Sequence, residues 1–232
     1  MLSFYSCDLD RIQTCNLLSR NQVRYSVAPR GQFSLTKVIS FVSGCKYISF
    51  YLYRQRTAQK NMLDLEQYIR NIPDFPKPGV TFKDITPLLA HPEAMRTCAQ
   101  ELLNLTEMQP IDKVVGIESR GFIFAPFMAE RLGAGFVPIR KPGKLPFDTL
   151  KQPYALEYGM DTLEIHEDAI QEGDRVLVHD DVLATGGTAQ AACRLIEQLG
   201  GEIVQCNFLI ELSFLNGAHK LQKHEIRSLL SY

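Results

Sequence analysis

The sequence predicts an α/β fold over residues 62–232, with a mostly parallel central sheet flanked by helices. Two observations predict it. Short apolar runs of strand length alternate with segments whose apolar residues recur at helical spacing. The chemically distinctive loops follow directly on three of those runs, and ligands of open α/β sheets gather at the carboxyl ends of the strands.

Taken in order, Leu63, Leu65, Tyr68 and Ile69 predict a helix ending near Arg70. Pro73–Pro87 holds four prolines and one glycine and predicts a shaped loop. A helix is expected from about Pro92 to Leu105, with Met95, Cys98, Ala99, Leu102 and Leu103 at core spacing. Lys113–Ile117 is a short buried strand, followed by Glu118-Ser119-Arg120-Gly121. Phe122–Leu132 predicts a helix in which Pro126 is tolerated only in the first turn. Phe136–Ile139 is a strand leading into the basic loop Arg140–Lys144. Pro142 to Tyr158 has three prolines and little periodicity, and predicts a long irregular loop able to act as a lid. Asp174–His179 is a strand, Thr188–Leu199 a helix closed by Gly200-Gly201, and Ile203–Leu212 a strand.

The net charge of −1 speaks against a nucleic-acid or membrane partner, but it is a cancellation. Residues 1–61 carry nine Lys/Arg against two Asp/Glu, and residues 62–232 carry sixteen against twenty-four. The chain therefore reads as a basic leader, 1–61, and an acidic domain, 62–232. The leader is expected to be poorly ordered: either an extension upstream of a natural start at Met62, or a targeting or interaction segment. It shows no helix-turn-helix pattern, and no run of 18 apolar residues predicts a membrane span. Neither nucleic acid nor a membrane is expected as a partner. Three of the six cysteines, Cys98, Cys193 and Cys206, fall in the domain without zinc-like spacing. Buried reduced thiols in a cytoplasmic protein are the expectation.

The sharpest segment is Val176–Ala189, where an apolar strand runs into Asp180 and Asp181 and then into Ala184-Thr185-Gly186-Gly187-Thr188 at the start of a helix. Glycines let backbone N–H groups approach an anion, the helix N-terminus favours negative charge, and the threonines add hydroxyl donors. Two carboxylates beside such a cradle suit a sugar phosphate with vicinal hydroxyls. No lysine follows the glycines, so this is not a Walker loop.

This segment resembles the phosphoribosyl-pyrophosphate motif of the type I phosphoribosyltransferases. Asp74–Pro87, Glu118–Phe122, Ile139–Pro146 and Leu156–Gly159 narrow the resemblance to the adenine-specific family, from about residue 64 to near the C-terminus. It implies transfer of phosphoribosyl from phosphoribosyl pyrophosphate to adenine, giving AMP and pyrophosphate, with Mg²⁺ required and a homodimer common. It also implies a small N-terminal hood over the base. By this resemblance Ala184, Thr185, Gly186, Gly187 and Thr188 hold the 5′-phosphate. Asp180 and Asp181 hold the ribose hydroxyls, directly or through Mg²⁺. Ser119, Arg120, Arg140, Lys141 and Lys144 take the pyrophosphate. Glu157, followed by Tyr158, matches the active-site glutamate near the base, and Arg140 and Lys141 join it in the catalytic set. Phe82 stacks on the purine, backbone near Thr81 and Lys83 reads its edge, and Leu212 covers the other face. Lys83 stands where the family commonly has Arg, and His179 where an apolar strand residue is expected. His179 is read as a satisfied, partly buried histidine that makes activity more pH-sensitive without being catalytic. The competing readings are a phosphoribosyltransferase for a 6-oxopurine and a non-catalytic regulator that binds the sugar donor.

Overall fold

The computed structural model describes residues 63–75, 77–107, 109–155 and 159–232. The basic leader, and with it the boundary expected at Met62, lies outside the described residues.

Five parallel strands make the central sheet: β3 (Lys113–Ile117), β4 (Gly135–Ile139), β7 (Arg175–Leu183), β8 (Glu202–Glu211) and β9 (Ile226–Ser231). Their order is β4-β3-β7-β8-β9. The middle strands are apolar on both faces, as a sheet covered on both sides requires. Val115, Val176, Val178 and Phe208 enter one core; Val114, Leu177 and Leu209 enter the other. Helix α4 (Gly187–Gln198) sends Ala189, Ala192, Cys193, Leu195 and Ile196 into the first. Helices α2 (Pro92–Asn104) and α3 (Ala125–Leu132) send Cys98, Leu102, Met128 and Ala129 into the second. Pro126 does sit in the first turn of α3, and Pro92 opens α2.

Three expectations need correction. The helix expected over 63–70 is a single 3₁₀ turn, Leu65–Tyr68, capped by Asp64. The chain then extends into β1 (Arg70–Ile72), because antiparallel pairing with β2 (Phe82–Asp84) outweighs a four-residue helical pattern. The proline-rich loop thus contains β2, and the short helix α1 (Thr86–Ala90) follows it. The third correction concerns the irregular lid. Much of it is strand β5 (Thr149–Ala155), paired antiparallel with β6 (Met160–His166) from Thr149–His166 to Ala155–Met160. Pro153 is tolerated because β5 pairs on one side only, with β6. The connection 156–158, with Glu157 and Tyr158, lies outside the described residues. No helix among the described residues is long and apolar enough to cross a membrane.

Candidate active site

Strand β7 is buried along Val176, Leu177, Val178 and His179, then delivers Asp180 and Asp181 at its outer end. Burial, and then the neighbouring Asp181 charge, push the Asp180 carboxyl well above the usual carboxylate range. Asp181 is raised by burial too, against the pull of Arg120. Arg120 Nε lies 2.9 Å from Asp181 Oδ2 without hydrogen-bond alignment, and that buried oxygen has no hydrogen bond. Two crowded acids, one with an oxygen that faces a guanidinium without a hydrogen bond, form a site that favours a cation or hydroxyl donors.

After Leu183 the chain turns sharply into α4. Gly186 caps the helix in the left-handed conformation (φ +74°), and no side chain satisfies the first N–H groups of the helix. Those groups are left for an anion. The loop has no spare room. A Cβ on Gly186 would lie 2.3 Å from Gly217 O, and a Cβ on Gly217 would lie 2.1 Å from Ala184 O. The cradle is therefore locked against a segment that the motif itself does not contain.

The two basic loops follow β3 and β4. Glu118, at the end of β3, ties them together. Arg140 reaches its two oxygens through Nη2 at 3.2 Å and Nε at 3.3 Å, and Lys141 N donates to Oε2 at 2.8 Å. Burial would raise the Glu118 carboxyl, but the Lys141 amide and Arg140 outweigh it and hold it low. Glu164 pins the basic loop to β6, accepting from Gly143 N at 3.0 Å. Lys141 Nζ donates to Tyr154 Oη at 2.7 Å and pairs with Asp161. Lys144 is exposed, and its carbonyl accepts from Arg140 Nη1 at 3.4 Å.

In the hood, Phe82 lies beneath the Arg120 guanidinium, 5.2 Å from its centre, and edge-on to Phe75. The Lys83 ammonium sits over the Tyr232 ring, 3.4 Å from its centroid. That contact occupies the Lys83 side chain.

One cavity of about 440 Å³ collects these parts. Thr81, Phe82, Lys83 and Leu212 line one part of it. Ser119, Arg120 and Lys141 line another, and Asp180, Asp181, Ala184 and Thr188 a third. Thr185, Gly186 and Gly187 form the loop between the last two of these. Arg140 and Lys144 are not brought to its wall: Arg140 is spent on Glu118, and Lys144 faces outward. Glu157 and Tyr158 fall in the connection outside the described residues.

His179 departs from the expectation of partial burial. It is fully buried, bonded through Nδ1 to Asn207 Oδ1 at 3.2 Å, and Nε2 has no hydrogen-bond partner among the described residues. Asn207 spends its own N–H groups on Leu102 O and Gln205, so its oxygen must accept and Nδ1 must carry the proton. Burial, against weaker help from Asn207, drops the His179 pKa to about 4, so the ring is neutral near pH 7.

A model of the phosphoribosyl transferase domain matches residues 84–227. An adenine phosphoribosyltransferase from Christiangramia forsetii is 62% identical over 170 residues, covering 73% of this chain and 99% of the relative. The chain belongs to the adenine phosphoribosyltransferase family. The enzyme of that name from Flavobacterium johnsoniae is 59% identical over 170 residues, covering 73% of this chain and all 100% of its own. The crystal structure of adenine phosphoribosyltransferase from Rhodothermus marinus matches with a TM-score of 0.69 at 57% identity, over 72% of this chain and 96% of that one. The Saccharomyces cerevisiae enzyme, crystallised with an imino-altritol bisphosphate and adenine, matches with a TM-score of 0.68 at 40% identity, over 72% and 96%.

In this adenine phosphoribosyltransferase family member, sequence reasoning passed over Glu118, Tyr154, Asp161 and Gly217. Asn216-Gly217 is a recognisable turn pair, which was the available signal for the last. Glu118 opens a segment already singled out, but without a role, and Tyr154 and Asp161 are single residues in unremarkable contexts; only the folded chain brings all three to the basic loop.

Proposed function

We infer that the cavity at the strand ends is where the chain carries out its reaction, adenine plus phosphoribosyl pyrophosphate giving AMP and pyrophosphate, a step of purine salvage. One observation carries this: a phosphate cradle, an acid pair, cations and an aromatic hood all open onto the same 440 Å³ space. The 5′-phosphate sits on Ala184–Thr188 at the open N-terminus of α4. Asp180 and Asp181 accept from the ribose hydroxyls. They also suit Mg²⁺, because Asp181 Oδ2 is buried without a hydrogen bond. No group of three or more metal-binding side chains occurs among the described residues. An ion here would draw its other ligands from water and substrate oxygens, as Mg²⁺ commonly does. When bound, Mg²⁺ supplies positive charge against the phosphate oxygens.

As the glycosidic bond loosens, positive charge develops on the ribose and negative charge on the departing pyrophosphate. Arg120 and Lys141 meet that negative charge as cations, Lys144, exposed on the same basic loop as Lys141, adds another, and Ser119 adds a hydroxyl. Arg140 acts through Glu118, which sets the shape of the basic loop. Phe82 and Leu212 sandwich the purine, with backbone at Thr81 and Lys83 reading its edge. Glu157 accepts a hydrogen bond from the purine, or exchanges a proton with it, as N9 becomes the bonding atom, and Tyr158 follows it in the sequence. We further propose a homodimer. A cytoplasmic setting suits the three buried free thiols, Cys98, Cys193 and Cys206.

The test is an assay with phosphoribosyl pyrophosphate, Mg²⁺ and each purine in turn. AMP from adenine, with hypoxanthine, guanine and xanthine poor, is expected; no AMP defeats the assignment. Glu157→Leu should lower kcat far more than it weakens binding of the sugar donor, and unchanged turnover would remove Glu157 from the mechanism.

A further inference from the structure

Lys141 lines the cavity, yet its ammonium is already held. It donates to Tyr154 Oη at 2.7 Å and pairs with Asp161 Oδ2, and Tyr154 donates to that same carboxylate oxygen at 3.1 Å. Tyr154 is on β5 and Asp161 on β6, directly opposite each other in register. Only the Ala155–Met160 rung separates them from the connection that carries Glu157. A cation from the loop after β4 is thus clasped by both arms of the hairpin, at the base of the segment expected to act on the purine.

The geometry leaves this charge free to move. Glu118 fixes the Lys141 backbone at 2.8 Å, while the side chain is 35% exposed on a flexible four-carbon stem. Asp161 is held below the usual carboxylate range, first by its hydrogen bond from Lys141. Burial would lower the Lys141 ammonium, but Asp161 and Tyr154 raise it overall. The clasp is therefore an ion pair at neutral pH. Pyrophosphate carries more charge than one carboxylate and competes for the same ammonium.

We propose that Asp161 and Tyr154 are positioning residues that hold Lys141 in reserve, and that the pyrophosphate end of the donor draws the ammonium off Asp161, loosening the hairpin at the base of the Glu157 segment. This rests on the assignment of Lys141 to pyrophosphate made above. Asp161 then weakens donor binding and links it to the hairpin, by no more than the difference between the two ion pairs.

Calorimetric titration of magnesium pyrophosphate into the full chain tests this without requiring turnover. Asp161→Asn should tighten binding about three- to tenfold. Tyr154→Phe, which keeps the ring and loses the hydroxyl, should shift it the same way by less. In a Lys141→Met background the Asp161→Asn gain should vanish. In steady state, Asp161→Asn should lower KM for the donor while kcat also falls, a split that loss of folding stability alone does not produce. Unchanged or weaker pyrophosphate binding in Asp161→Asn, or a gain that survives Lys141→Met, overturns the clasp. If Lys141→Met does not weaken pyrophosphate binding, the assignment of Lys141 falls and the clasp with it. A wild-type chain that shows the calorimetric pattern but makes no AMP keeps the clasp and refutes the reaction.

Discussion

The phosphate cradle and the basic loop sit at neighbouring strand ends and are built in opposite ways. The cradle, Ala184–Thr188, is almost all backbone: its shape comes from a left-handed glycine, an uncapped helix and close contact with Gly217. The basic loop, Arg140–Lys144, works mainly through side-chain charge, and two of its cations, Arg140 and Lys141, are committed beforehand to Glu118, Tyr154 and Asp161. A site made of backbone tolerates no added atom. A site made of paired charges tolerates change by re-pairing. The first should fail abruptly under substitution, the second by degrees.

Gly186→Ala is the hardest blow to this contrast. Its methyl would meet Gly217 O at 2.3 Å in a backbone conformation that already disfavours a side chain. We expect kcat/KM for the donor to fall at least ~100-fold, since an ångström of misplacement is enough. Thermal unfolding should register a loss of about 2–3 kcal/mol. Near wild-type values on both counts would mean that the cradle is soft.

Arg120→Ala removes the cation beside the acid pair. Turnover should drop by about 100-fold, the scale for losing one charge-stabilising donor. Stability should suffer less, because the already raised Asp181 carboxyl takes up a proton more readily once Arg120 is gone. Partial recovery by Arg120→Lys would mark charge, rather than shape, as the decisive property.

Glu118→Gln keeps the size of the side chain and releases Arg140. A rise of about tenfold in donor KM, with modest loss of kcat, is the graded failure expected of a paired-charge site. An abrupt loss like that of Gly186→Ala would erase the distinction.

The smallest effect at neutral pH concerns His179. Its folded-state pKa, about 4, lies below that of the unfolded chain, so the unfolded chain takes up the proton first as pH falls. Stability is complete above about pH 6.5 and is lost progressively toward pH 4, by about 3 kcal/mol in all. The raised carboxyls of Asp180 and Asp181 act in the opposite sense, so the comparison must be with His179→Leu. Melting curves from pH 7 to 4.5 should fall more steeply for the wild type than for that variant.

The same contrast explains what could be read from the chain. The strand into Asp180–Asp181 and the Thr185–Thr188 turn are contiguous, so period, acids and glycines pointed to one object within fourteen residues, Val176–Ala189. The central strands were legible because burial on both faces makes them continuous apolar runs. The β5–β6 hairpin was not, because Lys151, Gln152 and Pro153 interrupt any alternation, and its stability comes from pairing. Glu118, Asp161 and Tyr154 gain their roles only through contacts across 7 to 23 residues of chain. The burial of His179 was hidden for a similar reason: its partner, Asn207, is on the next strand.

The mutual contact of Gly186 and Gly217 also has a bearing on biosynthesis. The loop that carries the recognisable motif lacks the close contact of Gly217 until residue 217 has left the ribosome, and β8 lacks its outer neighbour until β9 follows. A nascent or prematurely ended chain can contain every residue of the motif and still lack the surface that gives it shape. The shape of the motif loop is thus completed only by residues near the end of the chain.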